Sequence, residues 1–211
     1  MPLRYGPLLR PTARAVTWSP TLATGGFTVA MVALFASRNP DDPVLGVLRL
    51  AGVVLAAGAV SVLDDPTEAL VDAAPTRLAT RRLLRLGLWL PVMAATWGAA
   101  ALLTAWIPRL NVTMPWSGLI LEAATLVALG LAAASLAGAV TRGCGGAGLA
   151  TTPVVLAYAW ISAQLPGGAG LWADVTDPQR WTAMRPQWLT VLVTSLALLA
   201  LTSRDPGGTL G

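Results

Sequence analysis

The chain has no histidine, no lysine and only one cysteine, Cys144, among its 211 residues. Without histidine there is no imidazole base and no histidine-ligated metal site, and without lysine there is no Schiff-base chemistry. A phosphate-binding P-loop needs a lysine, so the chain has no ATPase motif of its own. A single cysteine excludes an internal disulfide framework. We therefore expect neither an enzyme nor a chain with a metal or cofactor of its own.

Charge is also scarce. Charged residues make up 11% of the chain and hydrophobic residues 55%, with a mean hydropathy of +0.66. Soluble domains carry about 25% charged residues. The composition therefore predicts an all-α integral membrane protein with one compact membrane domain.

Six apolar segments approach the roughly 20 residues that a helix needs to cross a bilayer. They lie at about 21–37, 44–63, 86–107, 117–140, 149–166 and 187–203. We expect a six-span membrane domain over 21–203, preceded by a cytoplasmic interfacial segment, 1–20, and followed by a tail, 204–211.

Arginine placement predicts the orientation, because cytoplasmic segments carry an excess of basic residues. With the N-terminus inside, nine arginines lie on the inner side and four on the outer side, and Arg49 lies within the second span. We expect a multi-pass protein of the bacterial plasma membrane with both termini cytoplasmic.

The charged residues are sorted in segment 64–85, "DDPTEALVDAAPTRLATRRLLR", where carboxylates precede arginines. Asp65 is suited to cap a helix, Pro66 fits its first position, and Glu68 fits the capping-box position. This predicts a short helix over Asp65–Ala74 that ends before Pro75, with Asp65, Glu68 and Asp72 on one face.

A second helix should begin near Pro75 and run into the third span. Its basic residues are suited to the membrane surface and anionic lipid headgroups. These residues are Arg77, Arg81, Arg82 and Arg85. Two interpretations of segment 64–85 remain open: a solvated loop with lipid-anchoring arginines, or a docking element for a cytoplasmic partner.

This layout of a cytoplasmic N-terminal segment, six spans and a helical segment between the second and third spans resembles the membrane subunit of a bacterial ABC exporter of the compact six-span type. The resemblance implies a coupling helix that docks on a separate ABC ATPase subunit, which binds ATP and Mg²⁺. It would use Asp65, Glu68, Leu70, Val71 and Asp72. It also implies an interfacial N-terminal helix, "MPLRYGPLLRPTARAVTW", and a pathway formed with a second copy or a homologous permease.

Segment 171–188 is predicted to lie outside as an amphipathic element. Asp177-Pro178 is suited to begin a short helix with Trp181, Met184 and Trp188 on one face, at the membrane interface. An ordinary tryptophan belt at a span end is the alternative.

Glu122 is the carboxylate placed inside a span, where ionisable residues usually face a bundle interior or an aqueous cavity. Arg49 is its natural partner because both lie toward the same end of their spans. The alternatives are a polar site on a pathway and a side chain that reaches the interface.

Two glycine patterns are weaker signals. Gly130, Ala134 and Gly138 share one helical face and are suited to a close helix seam, within the chain or between copies. "GCGGAG" at 143–148 fits a dinucleotide motif literally, but a membrane span precedes it where a strand is needed. A turn between the fourth and fifth spans is favoured instead.

Taken together, the leading hypothesis is the membrane subunit of an ATP-driven transporter, exporting a hydrophobic or amphiphilic compound. The alternatives are a non-transporting anchor or assembly partner for a cytosolic protein and, less favoured, an ion-coupled carrier. We expect membrane lipids and protein subunits as partners, and no nucleic acid.

Overall fold

The computed structural model describes residues 18–38, 44–63, 78–106, 114–140, 147–164, 172 and 177–203. Within these residues the chain forms α-helices and no strand. The helices are α1 (Trp18–Arg38), α2 (Val44–Val60), α3 (Leu78–Ala105), α4 (Trp116–Val140), α5 (Ala147–Gln164) and α6 (Pro178–Thr202). Each coincides with one of the six predicted apolar segments. The all-helical prediction is confirmed for the described residues.

Four of these helices, α1, α3, α4 and α6, are long and apolar enough to cross a membrane, and α2 is a shorter apolar helix. Large apolar side chains also face outward, including Phe27, Leu83, Leu102 and Val193. Soluble monomers rarely expose extensive apolar surface. The length of the helices and their apolar exterior indicate a membrane protein.

Helices α2 and α4 form the centre of the bundle. Helix α2 packs against α1, α3, α4 and α5, and α4 packs against α2, α5 and α6. Among the described helices, α3 packs its backbone against α1 and α2 only. Any connection from α3 to α4 or α6 is therefore made by side chains.

Side-chain contacts define the two ends of the bundle. Arg49, early in α2, contacts Glu122, early in α4, so these two helices begin at the same end, which we call the Arg49 end. Arg82, early in α3, contacts Ser135, late in α4, at the opposite end, which we call the Arg82 end. Helix α3 therefore runs antiparallel to α4.

Glycines allow the central helices to approach closely. A Cβ atom on Gly130 would lie 2.9 Å from the backbone carbonyl oxygen of Ala56, and one on Gly58 would lie 2.5 Å from Oγ1 of Thr24. The first glycine of the predicted ladder therefore lies in a seam within the chain, between α4 and α2. Gly138 has open space around its Cβ position and takes no part in that seam.

Trp89 connects α3 to α1 in the interior. Its ring is fully buried, and its Nε1–H donates a hydrogen bond to Thr21 Oγ1 at 3.1 Å. Because an unsatisfied buried donor is costly, this bond fixes the ring orientation and the start of α1 against α3.

We expect Thr21→Val to lower the free energy of unfolding by about 1–3 kcal/mol, since the indole N–H of Trp89 loses its acceptor while the volume is conserved. Thr190→Val is the matched control, because the Thr190 hydroxyl is exposed and bonds to Pro186 of its own helix. The control should change stability by less than about 0.5 kcal/mol. Denaturation of the detergent-solubilised protein measures both. Equal effects would show that the Trp89–Thr21 bond contributes nothing specific.

Interior prolines occur in α3, α5 and α6, at Pro91, Pro153 and Pro186. Each removes one backbone N–H donor and leaves the carbonyl four residues earlier without its helical bond. Helices α2 and α4 contain no proline. The prolines are thus confined to helices outside the central pair.

The predicted outer segment 171–188 differs from the structure in one respect. Asp177 does cap a helix, accepting a bond from Arg180 N at 2.9 Å, with Pro178 in its first turn. That helix is not short, because it continues through Pro186 to Thr202. Trp181, Met184 and Trp188 share one face as predicted, and this face is buried in the protein core.

Candidate functional site: a buried arginine–glutamate pair beside two tryptophans

Arg49 and Glu122 form a two-bond ion pair between α2 and α4. Arg49 Nε donates to Glu122 Oε2 at 2.9 Å, and Arg49 Nη2 donates to Glu122 Oε1 at 3.0 Å. Arg49 is 9% exposed and Glu122 is 4% exposed. The pairing inferred from their similar depth in the sequence is therefore found in the structure.

The position of the two residues along their helices explains why they meet. Arg49 is five residues after the start of α2 and Glu122 six residues after the start of α4. At 1.5 Å per residue these are depths of about 7.5 and 9 Å. Gly52, one turn beyond Arg49, lies close to Ala123 of α4, which brings the two backbones together. The pair is thus set at one depth by a close helix contact.

Two indole rings complete the surroundings of Arg49. Its Cζ atom lies 5.0 Å from the centroid of Trp172 and 5.2 Å from the centroid of Trp181. Both distances are within the range of cation–π attraction. We call Glu122, Trp172 and Trp181 the Arg49 cage, since together they provide a carboxylate and two π faces for one cation.

The absence of a side chain at Gly118 allows the Trp181 ring to pack where it does. A Cβ atom at Gly118 would clash with Cε3 and Cζ3 of Trp181, so the ring packs directly on the α4 backbone. A bulkier residue would displace the ring from its position beside Arg49. Trp172 belongs to the connection between α5 and α6, outside either helix.

Two hydrogen bonds join the start of α6 to α4 around the cage. Arg185 Nη2 donates to Ser117 Oγ at 2.9 Å on the surface. Thr125 Oγ1 donates to the Leu121 carbonyl of its own helix at 2.7 Å, and the Trp188 carbonyl of α6 is a weaker second acceptor at 3.4 Å in the interior. Arg185 and Trp188 both follow Trp181 along α6, so these contacts attach the helix to α4 one to two turns after the position of the ring.

The space left beside the pair is small. A cavity of about 10 Å³ adjoins it, lined by Leu48, Arg49, Gly52, Leu119, Glu122, Ala123 and Leu126. This volume is at the threshold for one water molecule. With Arg49 in place, this cavity has no room beside Glu122 for a larger ligand.

The chemistry of the site is that of a compensated buried charge. Glu122 alone at this depth would be strongly disfavoured, and so would Arg49, but the bidentate geometry satisfies both. The arrangement holds a cation, and the described residues that line it include no nucleophile and no carboxylate besides Glu122. It is suited to binding and to joining helices, and it offers no group for covalent catalysis.

A second polar cluster lies at the Arg82 end. Arg82 Nη1 donates to Ser135 Oγ of α4 at 2.7 Å and to the Thr202 carbonyl of α6 at 3.1 Å. The hydroxyls of Ser135 and Thr202 are 2.7 Å apart. Arg82 therefore connects the start of α3 to the ends of α4 and α6, helices that the α3 backbone does not contact.

The other predicted site residues are placed as follows. Asp65, Glu68, Leu70, Val71 and Asp72 lie outside the described residues, as do Arg77 and the side chain of Arg81. Arg82 and Arg85 were expected at the lipid surface, but Arg82 points toward α4 and α6, and Arg85 is 7% exposed. Their position relative to the membrane surface stays a prediction, and Leu83 between them is exposed, so α3 begins with one covered and one open face.

Sequence analysis did not predict the contacts of Trp172 and Trp181 with Arg49, or the roles of Gly118 and Ser135. Trp181 was predicted to lie on an interfacial helix face, with a tryptophan belt as the alternative, and neither pattern distinguishes a ring that faces lipid from a ring that faces a buried cation. The contact of Ser135 with Arg82 joins residues 53 positions apart and has no local signal.

Comparisons of the chain with known protein families, with curated proteins and with solved structures found no match.

Proposed function

We propose that the chain is the membrane subunit of an ATP-driven transporter, with all six helices spanning the bilayer and both termini in the cytoplasm. A separate ATPase subunit would supply the energy, since a chain without lysine has no P-loop. Two copies, or one copy and a homologous permease, would form the pathway. The exported compound would be hydrophobic or amphiphilic.

The Arg82 cluster is the observation that carries this proposal. Segment 64–77 connects α2 to α3, and Arg82 lies five residues after its end. A docking element can transmit motion only if it is attached to the helices that move. Through Arg82, a displacement at the start of α3 would reach Ser135 of α4 and Thr202 of α6.

The low polarity of the helix exteriors supports the choice of substrate. The exteriors of α1, α3 and α6 carry large apolar side chains, among them Phe27, Leu102 and Val193. A pathway bordered by such surfaces favours a compound that partitions into lipid over an ion or a sugar.

Neutralising the proposed docking face tests the proposal. The variant Asp65→Ala/Glu68→Ala/Asp72→Ala should lose at least about tenfold of its co-purification with a Walker-motif ATPase, because the charge complementarity of docking is removed. Asp41→Ala/Asp42→Ala is the matched control, since it removes acidic residues from the predicted outer side, and it should co-purify normally. Equal recovery of the ATPase with both variants would refute docking through 64–77. Recovery of a different cytosolic protein would favour an anchor.

A second prediction separates docking from transmission. Arg82→Ala should retain the ATPase but lower transport per ATP hydrolysed, because α3 loses its bonds to α4 and α6. Arg185→Ala, which breaks an exposed bond at the opposite end, serves as the control. The measurement compares ATP hydrolysis with transport in proteoliposomes. An unchanged ratio in Arg82→Ala would show that the cluster does not transmit motion.

A further inference from the structure

We propose that the Arg49 cage is a binding site for an organic cation, and that Arg49 is its resident occupant, which an amphiphilic ligand with a guanidinium or ammonium head replaces. As a substrate site this rests on the proposed function, whereas the binding itself requires neither an ATPase nor transport.

The composition of the cage supports a cationic ligand. Glu122 supplies a carboxylate with both oxygens engaged by a cation, and the rings of Trp172 and Trp181 lie 5.0 and 5.2 Å from that cation. A carboxylate with aromatic faces is the usual protein environment for alkylated ammonium and guanidinium groups. An anionic ligand would instead have to displace Glu122 and leave two indole π faces against negative charge.

Because the adjoining cavity is small, a ligand must replace the Arg49 guanidinium and cannot bind beside it. The cavity volume of about 10 Å³ holds one water molecule at most, so a ligand head group fits only where the guanidinium now lies. Emptying the cage would leave Glu122 buried without a counter-charge. Replacing one cation by another keeps the charge compensated throughout.

Replacement would require the Arg49 head group to move toward the start of α2. Arg49 lies about five residues, or roughly 7.5 Å, from the start of α2, and long arginine side chains near helix ends extend to the membrane interface. Trp172 belongs to the connection between α5 and α6, so one wall of the cage is not part of a helix. The amphiphile's tail would lie along the apolar helix exteriors, where Leu50 is 47% exposed next to Arg49.

Dodecylguanidinium is a suitable probe, since its head group matches that of Arg49. Arg49→Gln, purified in nanodiscs, should bind it at least about tenfold more tightly than the unmodified chain, because the probe no longer competes with the resident guanidinium. Adding Glu122→Gln to Arg49→Gln should abolish the gain. Arg38→Gln removes a cation at the last residue of α1 without opening the cage and should bind as the unmodified chain does. Dodecanol, which has the same tail and no charge, should bind equally to all the variants.

Binding is measured as the ligand-dependent rise in melting temperature and by equilibrium dialysis. If Arg49→Gln does not fold, with or without the probe, the same binding measurement on Arg49→Lys tests the proposal. This variant retains the charge but loses the bidentate bond. Arg49→Lys should bind the probe more tightly than the unmodified chain. The proposal is overturned if the unoccupied or weakened cage binds dodecylguanidinium no better than the unmodified chain, or if the gain survives Glu122→Gln. Neither result depends on whether an ATPase co-purifies.

Discussion

Glu122→Gln should lower the free energy of unfolding by about 3–5 kcal/mol, because it leaves Arg49 buried and charged without a counter-ion. Arg49 is 9% exposed, and both of its hydrogen bonds to the carboxylate lie in the interior, so solvent cannot replace the lost partner. The measurement is denaturation of the purified protein in detergent, followed by tryptophan fluorescence.

The double variant Arg49→Met/Glu122→Leu is the control. It removes both charges and keeps the volume nearly constant, and such replacements of buried ion pairs are often neutral or stabilising. We expect it to recover most of the stability that Glu122→Gln loses. If the double variant were as unstable as the single one, the loss would come from packing at these positions and not from an uncompensated charge.

Gly130→Ala should destabilise the protein by about 1–3 kcal/mol, the usual cost of overpacking. The new Cβ atom would lie 2.9 Å from the backbone carbonyl oxygen of Ala56, and a backbone atom in the central seam cannot rotate aside. Helices α2 and α4 would have to separate, which would also loosen the geometry of the Arg49–Glu122 pair.

Gly138→Ala provides the matched comparison, two helical turns further along the same ladder. Nothing lies within 4 Å of its Cβ position. The substitution should stabilise the protein by up to about 1 kcal/mol through the higher helix propensity of alanine. Opposite signs for the two variants in the same denaturation assay would support the seam. If Gly130→Ala were also stabilising, the close approach of α4 to α2 would be refuted.

Much of the fold could be predicted because local composition decides it. Apolar segments of sufficient length form helices wherever backbone groups have no water to bond with, and the six segments agree with α1 to α6 within a few residues at most ends. The apolar segments alone begin later than α3 and α6, and the first turns of these helices were predicted instead from the helix expected near Pro75 and from the Asp177-Pro178 cap. Asp177 was correctly identified as a cap because capping depends on near neighbours only.

The site was predictable only in part. Arg49 and Glu122 were conspicuous because ionisable residues are rare inside apolar spans. They were predicted to pair because both lie toward the same end of their spans. The contacts of Trp172, Trp181 and Ser135 depend on which helices are neighbours, and a single sequence contains no signal for that. The bond of Arg82 to Ser135 and the burial of Arg85 could not be predicted for the same reason, because periodicity gives the face of a helix but not what covers it.

The distribution of prolines has a consequence for how the protein changes shape. Pro91, Pro153 and Pro186 weaken the backbone ladders of α3, α5 and α6, whereas α2 and α4 keep theirs complete and meet across Gly130. Bending during a working cycle should therefore concentrate at these three prolines. Spin labels on α2 and α4 would report a nearly constant separation, while labels on the halves of α6 on either side of Pro186 would move relative to each other.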